Sequence, residues 1–371
     1  MKKILMSVLF LCIAVIIYPQ DFFRGNPDSG KSHLILMNPT AGNLEVIQFL
    51  IGKKLLDIDP DEVSLVGVYH ASQEYDFSKS ADYIAKNNLN GYFLHEVRGD
   101  LDEGSLFEDN PCSADFRKIF GNSVGVIFFG GQDIPPSVYG EENLYSETTD
   151  PGRHYFEVSF LFHLIGGSRN PAVKPLLDEN PSYLVTGFCL GLQSMNVAAG
   201  GTLYQDIPAQ IYDKQTDEER LSIGKENLHR NYWQNIVKDP MLMGTNLHRI
   251  HFTDDPFFGK IIRVSKKEFP MGYSSHHQSI KKVGENFRIT ALSPDGKVIE
   301  GLAHSIYPNV FSVQFHPEVP SLYEDRGLLK FNPDDSPLTL HQMLGKKSLQ
   351  FHKKYWGHIS KVIDSNSEPG R

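Results

Sequence analysis

Cysteine is scarce in this 371-residue chain, which has three, at Cys12, Cys112 and Cys189. That excludes the disulfide framework of small secreted domains and leaves stability to a hydrophobic core. Positive charge is missing as a block: the formal net charge is −9, with no lysine- or arginine-rich run. The electrostatic footprint of a nucleic-acid binder or an anionic-membrane binder is therefore absent, and small-molecule chemistry is the expectation. No internal repeat, low-complexity tract or domain linker interrupts the chain. Composition is that of an ordinary globular protein, 40% apolar and 22% charged, with length enough for a full-sized core.

What is present begins with Lys2, Lys3 and a nearly unbroken apolar run, Ile4 to Tyr18. This is the pattern of a signal peptide over residues 1–20, so the chain is expected to be exported, periplasmic or secreted, with no membrane span in its mature form. The run is short for a span, although Tyr18-Pro19-Gln20 is a poor small-residue cleavage site and an uncleaved anchor is the alternative. Cys12 does not read as a lipidated cysteine, because Ile13 to Ile17 continue the apolar run beyond it. Cys112 and Cys189 could pair in an oxidising compartment, but the surroundings of Cys189 argue for a free thiol.

Strand-like runs recur at His33–Met37, Val63–Tyr69, Gly91–Val97, Val124–Phe129 and Tyr183–Thr186, with helix-compatible stretches between them. This alternation predicts an α/β fold with a mostly parallel central sheet. Leu176 to Pro181 reads as a helix end and turn, and Leu192–Ala199 as a short helix stopped by Gly200 and Gly201. Residues 208–270 read as excursion loops with one short strand near Arg249–Phe252. Strand character returns at Phe287–Leu292, Lys297–Leu302 and Val310–Phe315. Phe351, Tyr355, Ile359 and Val362 keep helical spacing, so an amphipathic helix is expected over Ser348–Asp364, within a 331–371 extension packing on a 33–330 domain. Gly25 to Ser32 matches a phosphate-loop pattern letter for letter. Such a loop needs a strand before it and a helix after it, and here a strand-like run follows, so no nucleotide site is expected.

Gly187-Phe188-Cys189-Leu190-Gly191 lies between an apolar strand and a short helix, the form of a nucleophile elbow. Glycine is needed on both sides of so sharp a turn. The helix N-terminus there favours negative charge on the nucleophile. A cysteine nucleophile calls for a histidine base and a group that orients it. Among 15 histidines, His316 stands at the end of the strand Val310–Phe315, on the sheet edge expected to carry the elbow, and Glu318 can turn back to its imidazole. His248-Arg249-Ile250-His251 has a spacing that could suit a metal on a helix, but its surroundings are strand-like. His276-His277 reads as pocket lining, and neither a metal site nor a cofactor is expected.

Residues 187–207, together with Ser274-Ser275-His276-His277-Gln278 and Gln314-Phe315-His316-Pro317-Glu318, resemble the γ-glutamyl-γ-aminobutyrate hydrolase family of the class I glutamine amidotransferase-like group. Phe128 to Asp133, Tyr139 to Glu142, Asp150 to Arg153 and Glu157 resemble its upstream elements, in family order. The resemblance implies a flavodoxin-like three-layer sandwich and a hydrolase of γ-glutamyl amide bonds. It makes Cys189 the nucleophile, His316 the proton carrier and Glu318 its orienting group, with an oxyanion hole at Gly130, Gly131 and Leu190. It places Gln193, Ser274, His276 and Gln278 at a small-molecule γ-glutamyl substrate. The family's Asn before Ser274 is Tyr273 here, and Phe129-Gly130-Gly131 stands where Pro-Gly-Gly is usual. A homodimer is compatible with the sequence without being specified by it. Two other readings share the motifs: a glutaminase subunit supplying ammonia to a synthetase, and a catalytically silent binding protein.

Overall fold

The computed structural model describes residues 21–25 and 30–368. The expected leader at 1–20 and positions 26–29 of the phosphate-loop-like segment lie outside them. Nine strands form the central sheet. They are β1 (Ser32–Met37), β2 (Val63–His70), β3 (Tyr92–Val97), β4 (Gly125–Phe128), β5 (Leu184–Phe188), β8 (His251–Phe252), β11 (Phe287–Leu292), β12 (Ile299–His304) and β13 (Val310–Val313). Their order is β3-β2-β1-β4-β5-β13-β12-β11-β8. Pairing is parallel from β3 across to β13 and antiparallel from there to β8. Two short antiparallel pairs stand outside it: β6 (Thr202–Tyr204) with β10 (Ser279–Lys282), and β7 (Asn246–Arg249) with β9 (Met271–Ser274).

The alternation of side chains along a strand makes the layers. On β1, Ile35 and Met37 join one apolar core while Leu34 and Leu36 join the other, and on β4 Val126 and Phe128 oppose Ile127 in the same way. The first core is covered by α3 (Ser113–Gly121), α4 (Pro151–Ile165) and α5 (Leu190–Ala198), through Phe116, Phe156, Phe160 and Leu192. The second is covered by α1 (Ala41–Gly52), α2 (Ser78–Lys86) and the C-terminal helix α9 (Leu340–Ser367), through Leu44, Ile47, Ile84, Phe351, Tyr355 and Ile359. A mostly parallel sheet buried on both faces by helices is the expected α/β sandwich. The excursion between β6 and β7 carries three short helices, α6 (Ile207–Tyr212), α7 (Asp217–Leu221) and α8 (Trp233–Ile236).

The run after Gly30 starts a strand at Ser32, as its sequence implies, which is the wrong element for a phosphate loop. Three local expectations are revised. Leu176–Asp178 is a single 3₁₀ turn, because α4 has already ended at Gly166 (φ 70°). The strand near Arg249–Phe252 is two strands that change sheets at Ile250, with β7 pairing to β9 and β8 joining β11. The last helix starts eight residues earlier than its apolar spacing implies. Thr339 caps it by accepting from the Gln342 amide, and Gly345 (φ 73°) breaks it one turn later, so the first segment does not share the spacing of the second.

Candidate active site

Strands β5 and β13 lie side by side in parallel, with Phe188 opposite Val313, so whatever follows each strand emerges at the same sheet edge. After β5 the chain turns sharply at Cys189, which takes φ 53° and ψ −104° and stands immediately before α5. That conformation is strained for a side-chain-bearing residue, and strain of this kind costs about 1–3 kcal/mol. The turn is held by the Cys189 amide, which donates to the Val313 carbonyl at 3.0 Å. A Cβ at Gly191 would meet the Phe128 carbonyl oxygen at 2.7 Å, and one at Gly187 would come within 3.0 Å of the same atom. The glycine bracket therefore lets α5 pack directly against β4.

After β13, the His316 amide donates to the Tyr273 carbonyl at 2.8 Å, and His316 Nδ1 lies 2.7 Å from Glu318 Oε1. The carboxylate can only accept, so Nδ1 carries the proton and Nε2 faces the cavity. Helix α9 supports this exit: the Trp356 indole donates to the Pro317 carbonyl at 3.1 Å. His316 is raised well above the usual imidazole range; burial opposes this, but the Glu318 carboxylate and the Cys189 sulfur outweigh it.

The turn after β4 brings a third piece. A Cβ at Gly130 would sit 2.8 Å from His316 Cε1 and 3.5 Å from Cys189 Cβ, and one at Gly131 would sit 2.1 Å from Arg153 Nη1 and 2.8 Å from Leu190 Cδ2. Glycine at 130 thus lets this backbone approach Cys189 and His316, and glycine at 131 leaves room for Arg153 and Leu190. Arg153 explains the upstream Asp150 to Arg153 motif. Its Nη2 donates to the Phe129 and Gly130 carbonyls at 3.2 and 3.1 Å, while its Nε donates to the buried Glu157 at 2.8 Å. The guanidinium pins the turn from behind. The Leu190 amide opens α5 and has no partner within its helix.

Gly131, Asp133, Cys189, Gln193, Arg230, Ser275, His276, His277, Gln278 and His316 line a cavity of about 100 Å³. Gln193 and Gln278 face it as the sequence suggests; the Gln193 amide donates to the Gln278 carbonyl at 3.3 Å and the Gln278 amide to Ser146 Oγ at 2.7 Å. Ser274 does not line it: its hydroxyl is buried and donates to the His229 carbonyl at 2.8 Å. The next residue takes that place, with Ser275 Oγ 3.2 Å from His316 Nε2. The histidine pair also divides. His277 faces the cavity between Asp133 (2.9 Å) and Asp206 (3.3 Å). Burial opposes protonation there, but hydrogen bonds to those two carboxylates prevail and raise it to about 9. His276 borders the cavity while its imidazole turns away toward Glu300. Sequence reasoning missed Ser275, Asp133 and Arg230. Asp133 and Ser275 sit inside the quoted motifs, but only the fold aims them inward.

Cys112 lies apart. It is buried in the core beneath α3 and α4, is unpaired, and burial pushes its thiol up to about 11. Cys189 is also unpaired. Among the described residues, no helix is long and apolar enough to cross a membrane.

The arrangement places a cysteine at a helix N-terminus beside a cavity that also takes in a histidine held by a carboxylate, a set of groups that suits acyl transfer. Several known proteins resemble the chain. The Lactococcus lactis protein YvdE, named as glutamine amidotransferase-like, is 30% identical over 194 residues, covering 52% of this chain and 65% of its own length. Protein NtpR of Enterococcus hirae is 28% identical over 211 residues, 56% of this chain and 72% of its own. A Mycobacterium tuberculosis protein named as a glutamine amidotransferase is 29% identical, covering 52% of this chain and 50% of its own length. The chain thus spans under two thirds of the first and half of the third. A Thermoplasma acidophilum structure described as a GMP synthase subunit overlays with TM-score 0.34 at 12% identity, covering 82% of this chain and 98% of that one. The Peptidase C26 model matches residues 106–318, a stretch that holds Cys189, His316 and Glu318, and the chain belongs to the Peptidase C26 family.

Proposed function

We propose that this protein hydrolyses γ-glutamyl amide bonds through a thioester on Cys189. The observation that carries the reading is the junction of the strained Cys189 turn with the His316–Glu318 pair at the ends of adjacent strands. In this reaction Cys189 Sγ attacks the γ-carbonyl carbon, and the carbonyl oxygen takes the negative charge, facing the Leu190 and Gly131 amides. His316 Nε2 delivers a proton to the departing amine as the C–N bond breaks. Water then gives a proton back to Nε2 and attacks the thioester carbon, releasing the γ-carboxylate and restoring the thiol. Glu318 holds the imidazole tautomer and stabilises its charged form. Arg230 suits the α-carboxylate of a glutamyl group, and Gln193 and Gln278 supply further polar contacts.

A panel of glutamine, γ-glutamyl-aminobutyrate and γ-glutamyl dipeptides, with released glutamate as readout, tests the substrate class. Preference for glutamine would favour the glutaminase reading, and silence on the whole panel the binding-protein reading. Quenched turnover should leave a glutamyl adduct on the peptide containing Cys189; an adduct elsewhere overturns the assignment. Export is part of the proposal, supported by Lys2, Lys3 and the Ile4–Tyr18 run. Fractionation of cells expressing the full chain should find it outside the cytoplasm, and a cytoplasmic protein retaining Met1 would refute this.

A further inference from the structure

Behind the cavity wall, four side chains far apart in sequence converge: His229, His248 on β7, His276 in the wall loop, and Glu300 on β12. All are buried, and one ligand atom from each lies within 4.8 Å of the other three. Glu300 Oε1 is 3.2 Å from His229 Nδ1, 3.5 Å from His248 Nε2 and 3.7 Å from His276 Nε2. These facing atoms, and the second Glu300 oxygen, have no hydrogen-bond partner. Buried polar atoms left unsatisfied in such number are strongly destabilising, so the arrangement calls for something they all bind.

The tautomers say what that is. His248 Nδ1 lies 3.1 Å from the Arg249 carbonyl and His276 Nδ1 lies 2.8 Å from the Gln278 carbonyl. Carbonyls only accept, so each Nδ1 carries the hydrogen and each Nε2 turns a lone pair toward the Glu300 carboxylate. Acceptor then faces acceptor, which is stable only with a cation between them. If the imidazoles were doubly protonated, charge-assisted bonds to Glu300 would close to about 2.7–2.9 Å. The three separations from Glu300 Oε1 are instead near the edge of a tetrahedron, about 3.3–3.4 Å for metal–ligand bonds of 2.0–2.1 Å. Backbone carbonyls orienting ligand imidazoles through the opposite nitrogen are the usual support of a metal site.

We propose that His229, His248, His276 and Glu300 bind a divalent first-row transition ion, zinc before others, as a closed four-ligand site that is loaded as the chain folds. The ion would join β7, β12 and the segment holding His229 to the Ser275–Gln278 loop, and so brace the wall of the cysteine cavity. The ion site stands whatever the substrate class.

The test is elemental analysis of the full chain purified without chelator from zinc-supplemented cells, with parallel growth in cobalt. One metal per chain is expected, and the cobalt-grown protein should show the visible d–d bands of a tetrahedral centre. Glu300→Gln and His248→Gln should lose the metal and melt roughly 5 °C lower or more. Cys189→Ala should keep it. Only traces of metal in the parent protein from both media would overturn the proposal, and those two measurements stand even if the variants fail to fold. Metal retained in both ligand variants, or lost in Cys189→Ala, would also overturn it.

Discussion

One four-residue loop, Ser275 to Gln278, faces two groups of histidines that differ in how their charges are settled. On the cavity side every imidazole has a carboxylate partner: His316 has Glu318, and His277 has Asp133 and Asp206. Behind the loop, three imidazoles and Glu300 confront one another with no hydrogen bond between the facing atoms. Paired groups beside a cavity can take up and release protons, with stability shifting by what the pairing contributes. A sealed group of acceptors cannot, and it answers to a bound cation. The roles proposed are chemistry for the first arrangement and architecture for the second, and substitutions should separate the two.

The largest effect is expected at the nucleophile. Cys189→Ala should lower kcat/KM by roughly 10³-fold or more with little change in Tm, and adding His316→Ala should make it scarcely worse, since the two act as one unit. Robust turnover in Cys189→Ala would break the comparison at its first term. Glu318→Gln should be milder than His316→Ala, a loss of roughly 10–100-fold, because the carboxylate orients and stabilises an imidazole that general acid–base catalysis makes worth about 10²–10⁴. On the other side of the loop, His229→Gln should reverse the pattern, with unfolding weakened by about 1–3 kcal/mol and kcat within a few-fold of the parent. Urea unfolding beside steady-state kinetics reads both, and a variant that keeps its stability but loses kcat would place the cluster with the chemistry.

A smaller effect concerns pH. His277 is raised to about 9 in the fold from an ordinary value of 6.5, so its pairing stabilises fully below pH 6.5 and is lost as pH rises through 9. The parent should lose on the order of 2–3 kcal/mol of unfolding free energy across that window relative to His277→Gln. Parallel slopes for the two proteins would show that the pairing contributes nothing. Cys112→Ser should have the least effect on turnover, within a few-fold of the parent, because its thiol is packed in a core away from the cavity. A loss like that of Cys189→Ala would mean that the two thiols have been wrongly distinguished.

What the sequence by itself determined is what a few neighbouring residues determine. The Gly187 to Gly191 bracket dictates a sharp turn because no Cβ fits against Phe128, and His316 reaches Glu318 because only Pro317 lies between them. Strand and helix alternation likewise declared the α/β class, since each element writes its own period. Contacts that cross the sequence were beyond that reach. His248 looked like an ordinary strand residue and His276 like pocket lining, and nothing local links either to His229 or Glu300. Ser274 and Ser275 are chemically the same, and only the pairing of β9 with β7 decides which hydroxyl is buried at the His229 carbonyl and which meets His316. The physical reason is that a side chain's partner across a sheet is set by strand order and register, and these are fixed by the packing of the whole core.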